Sequence, residues 1–229
     1  MSEQARESKD TKYRIAETAM ALFLEEGYET VTVEAVAEAS EVSRRTVFRY
    51  FGGKDELPFP DHSARLRRLE AHLNAAGPDE DPVEAVIGGT EASLRDFLRH
   101  PQLVFRRYRL TRRVPELRNR EIVEHERYVA MTSAFLRGRL APDAPGFQAM
   151  GLAALIDAMH RSALGGWARS EGATDAMAEL HAGMAWVRGL TAEYAHPSPV
   201  RQVLLATLPD TPEVRRTLTA LRDSATELP

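Results

Sequence analysis

Apolar residues recur along most of this chain at the spacing of amphipathic helices. Ile15, Ala19 and Phe23 show the pattern, since residues four positions apart share one face of a helix. No segment alternates apolar and polar residues as a half-buried strand does, and there is no repeat of fixed period. The sequence therefore predicts an all-α protein, in which helices bury their apolar faces against other helices.

Glycine, proline and polar loop residues divide this pattern into separate helices. The predicted helices span residues 10–26, 33–39, 44 to 50 or 51, 63–73, 83–100, 101–112, 115–140, 147–171, 174–196 and 213–225. The clearest linker is the acidic, Gly- and Pro-containing segment 74–82. We therefore predict a first domain over residues 1–56, a connecting helix and linker over 57–82, a larger helical domain over 83–196, and a tail over 197–229 with a helix in it.

The composition is that of a globular protein, with 43% hydrophobic and 28% charged residues in 229. The chain has no cysteine, which excludes disulfides, thiolate metal sites and a cysteine nucleophile. Its first residues are polar, and no apolar run approaches the roughly 20 residues of a membrane-spanning helix. We expect a cytoplasmic protein that does not enter the membrane.

Two short predicted helices joined by a three-residue link lie between Thr32 and Phe51. Thr32 precedes the first of them and Ser43 the second, and both residue types are preferred helix caps. A longer helix before them can brace the pair. This spacing is typical of a helix-turn-helix, whose second helix enters the major groove of DNA.

The residues from Val42 to Lys54 include four cations and no carboxylate, although the whole chain has a net charge of −4. Local charge matters more than the sum, because DNA affinity comes largely from cations that neutralise phosphates. Arg44 and Arg45 begin the second helix, where arginine can pair with guanine edges. The alternative is an exposed basic face that binds no DNA. The predicted DNA-binding set is Thr32, Ser43, Arg44, Arg45, Thr46, Phe48, Arg49, Tyr50 and Lys54.

Residues Ile15 to Leu57 resemble the DNA-binding domain of the TetR family of regulators. The resemblance rests on Ala-x-x-Leu-Phe at 19–23, Gly27-Tyr28, Thr32-Val33, Val36-Ala37, Val42-Ser43, and Phe-x-Tyr-Phe at 48–51 followed by Lys54. It implies a three-helix helix-turn-helix domain followed by a helical ligand-binding and dimerisation domain. It also implies a dimeric repressor that binds a near-palindromic operator and is released by a small molecule.

Two residues depart from the family pattern. Glu41 occupies a turn position where the family commonly has glycine. Pro58 falls inside the family's fourth helix, where it predicts a kink or break because proline lacks an N–H and clashes with the preceding turn.

The resemblance implies that the two long helices predicted over 147–171 and 174–196 pair with those of a second copy as a four-helix bundle. The first of them carries small residues that would let helices approach closely, at Ala154, Ala158, Ser162, Ala163, Gly165 and Gly166. The alternative is that both apolar faces are buried within one subunit.

Residues 99–120 contain eight arginines and one carboxylate, Glu116. Aromatic and aliphatic side chains nearby could line an apolar cavity, which with basic groups at its mouth would suit an amphipathic anion such as an acyl-CoA, a fatty acid or an aromatic acid. An exposed basic surface is the alternative. The predicted ligand-binding set is Tyr108, Arg109, Tyr128, Met131, Phe135 and His160.

Enzyme motifs are absent from the sequence, which has no Gly-x-Ser-x-Gly, no phosphate-binding glycine loop and no His-Glu-x-x-His. Asp157 and His160 share a helix face, but two residues make a weak metal site. We predict no catalytic residue, no metal and no cofactor. Two alternatives to a ligand-released repressor stay open: an activator or ligand-independent regulator, and a helical ligand-binding protein that no longer binds DNA.

Overall fold

A computed structural model describes residues 3–142 and 144–195, and within them the protein contains nine α-helices, one short 3-10 helix and no strand. The all-α prediction is confirmed. The helices are α1 Glu3–Glu25, α2 Val33–Ala39, α3 Arg44–Tyr50, α4 His62–Ala75, α5 Pro82–Leu98, α6 Pro101–Arg113, α7 Pro115–Arg137, α8 Gly146–Arg169 and α9 Ala176–Ala195, with the 3-10 helix at Lys54–Glu56.

No helix in the described ranges combines the length and apolarity needed to cross a membrane. The predicted tail over 197–229 and its helix lie outside the described residues. Residues 3–191 form one compact unit. The predicted domain bounds stay a prediction.

The first helix differs most from its predicted bounds, since α1 begins at Glu3 rather than at Asp10. The residues added at its start are mostly Glu, Gln, Ala, Arg and Lys, which favour helix. The apolar pattern could not detect this extension, because these residues have no apolar face.

The two short helices have the predicted bounds and the predicted caps. The Thr32 hydroxyl accepts a hydrogen bond from the Ala35 N–H at 3.1 Å, and the Ser43 hydroxyl accepts one from the Thr46 N–H at 3.1 Å. Each cap satisfies a backbone donor that the first turn of a helix leaves without a partner.

The turn between these helices keeps the geometry that glycine usually adopts. Glu41 has φ of +54°, in the left-handed region. The Glu41 N–H donates to the Glu38 carbonyl at 3.0 Å and the Val42 N–H donates to the Ala37 carbonyl at 2.9 Å. These two bonds make a Schellman motif, which closes α2 with a non-glycine residue at the left-handed position.

Replacing Glu41 with glycine is expected to raise the free energy of unfolding by about 1 kcal/mol, because the left-handed conformation strains residues that carry a Cβ. Urea unfolding of Glu41→Gly measures the change. Ala35→Gly, at an exposed position inside α2, is the control and should lose about 1 kcal/mol. Equal destabilisation by both glycines would show that the turn is unstrained.

The predicted break at Pro58 is present. The 3-10 helix ends at Glu56 and α4 begins only at His62, so five residues separate the two. This connecting segment is buried, with Leu57, Phe59 and Asp61 all largely inaccessible to solvent. It is therefore a packed joint and not a loose linker.

Two large apolar cores and one small apolar cluster lie within residues 3–191. The N-terminal core is formed by α1, α2 and α3 with Leu57 and Phe59, and it also includes Leu103, Leu110 and Leu117 from α6 and α7. The second core is formed mainly by α4, α5, α7, α8 and α9. Since α6 and α7 supply side chains to the N-terminal core, the three-helix head packs directly on the helices that follow.

Candidate functional site

Helix α3 is fixed by its buried face and exposes its charged face. Val47 is buried in the N-terminal core, and Val42 and Tyr50 pack against it. Arg44, Arg45, Phe48 and Arg49 lie on the solvent-exposed side. The arrangement is that of a helix-turn-helix whose second helix presents cations outward.

The two arginines at the start of α3 are held differently. Arg44 forms an ion pair with Glu34 of α2, with Nε and Oε1 2.9 Å apart, and its guanidinium lies 5.3 Å from the centre of the Phe48 ring. Arg45 has no hydrogen bond or ion pair with any residue of 3–142 or 144–195. Arg45 is thus the side chain most available to a DNA base.

Contacts from outside the helix-turn-helix position two further predicted DNA-binding residues. The Tyr50 hydroxyl accepts hydrogen bonds from the Ser8 hydroxyl at 3.1 Å and from Arg49 Nη2 at 3.2 Å, and these donors lower the pKa of Tyr50. Lys54 Nζ donates to the Glu29 carbonyl at 3.4 Å and lies 4.4 Å from the centre of the Tyr28 ring. Tyr50 is the last residue of α3, and Lys54 is the first residue of the 3-10 helix that follows.

An ion-pair cluster links α7 to the end of the helix-turn-helix. Arg120 contacts Asp55 at 3.2 Å and Glu56 at 2.9 Å, both in the 3-10 helix that follows α3. Glu56 also accepts the Gly52 N–H at 2.8 Å. The Gly52 N–H and Arg120 lower the pKa of Glu56, which favours the ionised form that the cluster needs.

A second cluster joins α1 to the start of α4 and to α5. The buried Arg65 guanidinium contacts Asp61 and Asp96, each at 3.2 Å. The Tyr13 hydroxyl donates to Asp61, and burial with this hydrogen bond raises the pKa of Tyr13. The connecting segment after Pro58 is therefore held from three helices.

A cavity of about 540 Å³ lies between α6, α7 and α8. Four arginines and a single carboxylate, Glu121, line it together with apolar and aromatic side chains. Burial lowers the pKa of His62 at its wall to about 4, so this imidazole is neutral at neutral pH. The arginines that line the cavity are Arg107, Arg112, Arg118 and Arg161.

Comparison with known proteins agrees with this geometry. Residues 15–58 match the model of the bacterial regulatory proteins of the tetR family. The chain is 38% identical over 89 residues to the HTH-type transcriptional regulator TcmR of Streptomyces glaucescens, a match that covers 39% of each chain. Residues 15–58 are therefore a TetR-family DNA-binding domain.

Matches beyond the head support the family assignment. A protein of Mycobacterium tuberculosis named as the mycofactocin biosynthesis transcriptional regulator MftR is 26% identical over 182 residues, 74% of this chain and 86% of that one. The crystal structure of a TetR-family regulator from Syntrophomonas wolfei has the same fold, with a TM-score of 0.60 and 16% identity over 80% of this chain and 96% of that one. The curated relatives and the shared fold agree with the predicted TetR-family transcription regulator.

The six predicted ligand-binding residues do not lie in one cavity. Tyr108 lines the 540 Å³ cavity. Tyr128 and His160 line a neighbouring space of about 40 Å³, and Tyr128 donates to the Ser93 hydroxyl at 3.0 Å. Arg109 forms an ion pair with Glu171, while Met131 and Phe135 pack against the second core. The set as a whole stays a prediction.

Sequence reasoning missed the residue that distinguishes the cavity, Arg107. It lies four residues after Leu103 and three before Leu110, both buried, so helical spacing places it on the inward face of α6. An arginine in the apolar stripe of a helix was the signal that could have identified it.

Proposed function

We propose that this TetR-family protein is a homodimeric repressor that binds a near-palindromic operator and is released by an amphipathic anion. The observation that carries the proposal is the exposed cationic face of α3, fixed from behind by the buried Val47. In a dimer, two such helices would enter successive major grooves about 34–36 Å apart. DNA binding implies a cytoplasmic location.

The proposed DNA contacts divide into base contacts and phosphate contacts. Arg45 is free to pair with a base. Arg44 can also pair with a base, either after its ion pair with Glu34 breaks or while Glu34 still orients its guanidinium. Thr32, Ser43, Thr46, Phe48, Arg49, Tyr50 and Lys54 complete the proposed interface, in which the polar and cationic members position the protein on the phosphates. The acidic balance of the whole chain means that binding depends on this small cationic face and is sensitive to salt.

Exposed apolar and small residues on α8 and α9 support the proposed dimer. Phe147 and Trp186 are 65% and 53% exposed, and Met150 is exposed beside them in α8. A Cβ added at Gly151 or Gly189 would meet no atom within 4 Å, so these helix faces are open in one copy. Two-fold pairing of the helices would bury such a surface.

The proposed response to ligand depends on the packed joint between head and cavity. His62 is the first residue of α4 and lines the cavity. It directly follows the connecting segment, in which Leu57, Phe59 and Asp61 are buried. Arg120 attaches α7, another cavity wall, to the end of the helix-turn-helix. An occupant that shifts α7 or the start of α4 would therefore change the spacing of the two heads, and operator binding would oppose ligand binding by the same free energy.

Arg45→Ala is expected to weaken binding to the operator by roughly 5- to 150-fold, the equivalent of about 1–3 kcal/mol for a lost bidentate base contact. Affinity for random DNA should change little. Lys54→Ala should weaken both by a similar factor and reduce the salt slope by about one, since it contacts phosphate. Titrations of the upstream region of its own gene, and of a site selected from random DNA, measure these effects at several salt concentrations.

Arg137→Ala is the matched control, since this exposed arginine ends α7 away from α3. It should bind both DNAs as the wild type does. An equal loss on both DNAs for Arg45→Ala would overturn its role in base recognition. A wild-type protein that selects no sequence would overturn the proposal of a DNA-binding regulator.

A further inference from the structure

Arg107 is a buried guanidinium without a partner. Its side chain belongs to a residue that is only 4% exposed, and its Nη1 is inaccessible to solvent and has no hydrogen-bond partner. Within residues 3–142 and 144–195, Arg107 forms no ion pair with any carboxylate, including Glu121 of the same cavity. A buried charge of this kind is rare in proteins because its desolvation is not compensated.

Arg65 is buried to the same extent as Arg107, but its charge is balanced by ion pairs. Both guanidiniums lie over the Phe97 ring, Arg65 at 3.4 Å and Arg107 at 4.9 Å from its centre. Arg65 also has two carboxylates, Asp61 and Asp96, whereas Arg107 has only aromatic faces. Burial, reinforced by the positive charge of Arg65, lowers the pKa of Arg107 to about 10, which still leaves it charged at neutral pH.

The space in front of Arg107 has the properties of a site for an anion with an apolar body. Phe97, Val104, Leu164 and Ala168 supply apolar surface in the 540 Å³ cavity. Arg112, on an exposed part of α6, also lines the cavity. The arginines therefore make the electrostatic potential in the cavity positive, which attracts an anion. Among the described residues that line the cavity, Arg107 is the buried cation that has no ion-pair partner.

We propose that Arg107 binds the carboxylate of an amphipathic monocarboxylate in this cavity. The inference rests on the proposed function and specifies its effector. One buried guanidinium neutralises one negative charge. A bound monoanion therefore leaves no net buried charge, whereas a phosphate dianion would leave one negative charge buried. The planar fork of arginine also matches the two oxygens of a carboxylate.

The test measures thermal unfolding and calorimetric binding of the full-length protein with three carboxylates and their neutral alcohols. The pairs are decanoate with decan-1-ol, benzoate with benzyl alcohol, and 2-naphthoate with 2-naphthalenemethanol. At least one carboxylate should raise the melting temperature of the wild type, and its alcohol should bind at least about tenfold more weakly, as expected for loss of a charged hydrogen bond. Stabilisation by none of the carboxylates would overturn the proposal.

Variants of Arg107 locate the carboxylate. Arg107→Met should lose at least about tenfold in affinity for that carboxylate and bind acid and alcohol alike. Its melting temperature without ligand should equal or exceed that of the wild type, because an unpaired buried charge has been removed. Arg107→Lys retains the positive charge but lacks the planar guanidinium, so it should bind the carboxylate with intermediate affinity. If Arg107→Met does not fold, Arg107→Lys provides the test. Arg113→Met, at an exposed position of the same helix that does not line the cavity, is the control and should bind as the wild type does.

Unchanged carboxylate affinity in Arg107→Met, or in Arg107→Lys where only that variant folds, would overturn the proposal. DNA release by the same carboxylate is measured separately. If the carboxylate binds through Arg107 and the operator complex is unaffected, the anion site stands and the proposed effector response fails. If the wild type binds no operator at all, the proposed function fails while the anion site is still judged by its own titration.

Discussion

Replacing Arg65 with methionine is expected to lower the free energy of unfolding by about 3–5 kcal/mol, the cost of breaking a buried ion pair by removing one partner. Arg65 is 3% exposed and is the cation that Asp61 and Asp96 share. Arg68 still reaches Asp96 at the surface, so the uncompensated charge would be Asp61, with only the Tyr13 hydroxyl as a partner. Urea unfolding followed by circular dichroism measures the loss.

Arg95→Met is the matched control, because Arg95 makes an ion pair with Glu91 one helical turn away and is 53% exposed. Such a pair contributes up to about 0.5 kcal/mol. Adding Asp61→Asn to Arg65→Met should recover part of the stability, since the orphaned charge is then removed as well. If Arg65→Met unfolds at the same urea concentration as Arg95→Met, the cluster does not hold the start of α4.

The helix-turn-helix could be predicted to the residue because the signals that form it are local. Thr32 and Ser43 cap their helices through backbone groups three residues away, and the turn at Glu41 is closed by two bonds within α2 and its end. Pro58 acts over the same short range, and the predicted break is present. Glu41 showed that the glycine-like turn geometry survives without glycine, which the sequence left open.

The cavity could not be predicted in the same way, because it depends on which faces of distant helices meet. The eight arginines of residues 99–120 look alike in sequence, yet Arg107 faces the interior, Arg109 pairs with Glu171 on the surface, and Arg120 is bound to the head. Only the packing of α6 against α7 and α8 separates these roles. A count of charges along a segment therefore identifies a basic region and not a binding site.

The same reasoning explains why the buried joint was missed. Asp61, Arg65 and Asp96 are charged residues that sequence reasoning assigns to the surface, since such residues are seldom fully buried unless they are paired. Asp61 lies only four residues before Arg65, but Arg65 and Asp96 are separated by 31 positions and Tyr13 and Asp61 by 48. Pairings at that distance have no local signature.

Replacing Ala154 with arginine is expected to convert the proposed dimer to a monomer and to lower its operator affinity by about 10³-fold or more, to the level of non-specific binding. Ala154 is exposed on α8, one turn from Gly151 and Met150, so arginine fits in the single subunit but places charge in the proposed interface. A two-fold operator requires two linked heads, and a monomer makes half of the contacts. Light scattering after size exclusion gives the mass, and DNA titration gives the affinity.

Ala71→Arg adds the same side chain at an exposed position of α4, outside the proposed interface, and should leave mass and operator affinity unchanged. Circular dichroism should show that both variants fold as the wild type does. Because α8 also forms a wall of the cavity through Ala158 and Ser162, a monomeric Ala154→Arg that still binds the carboxylate would separate ligand binding from dimerisation. A dimeric Ala154→Arg with wild-type operator affinity would place the two-fold contact on another face of the protein.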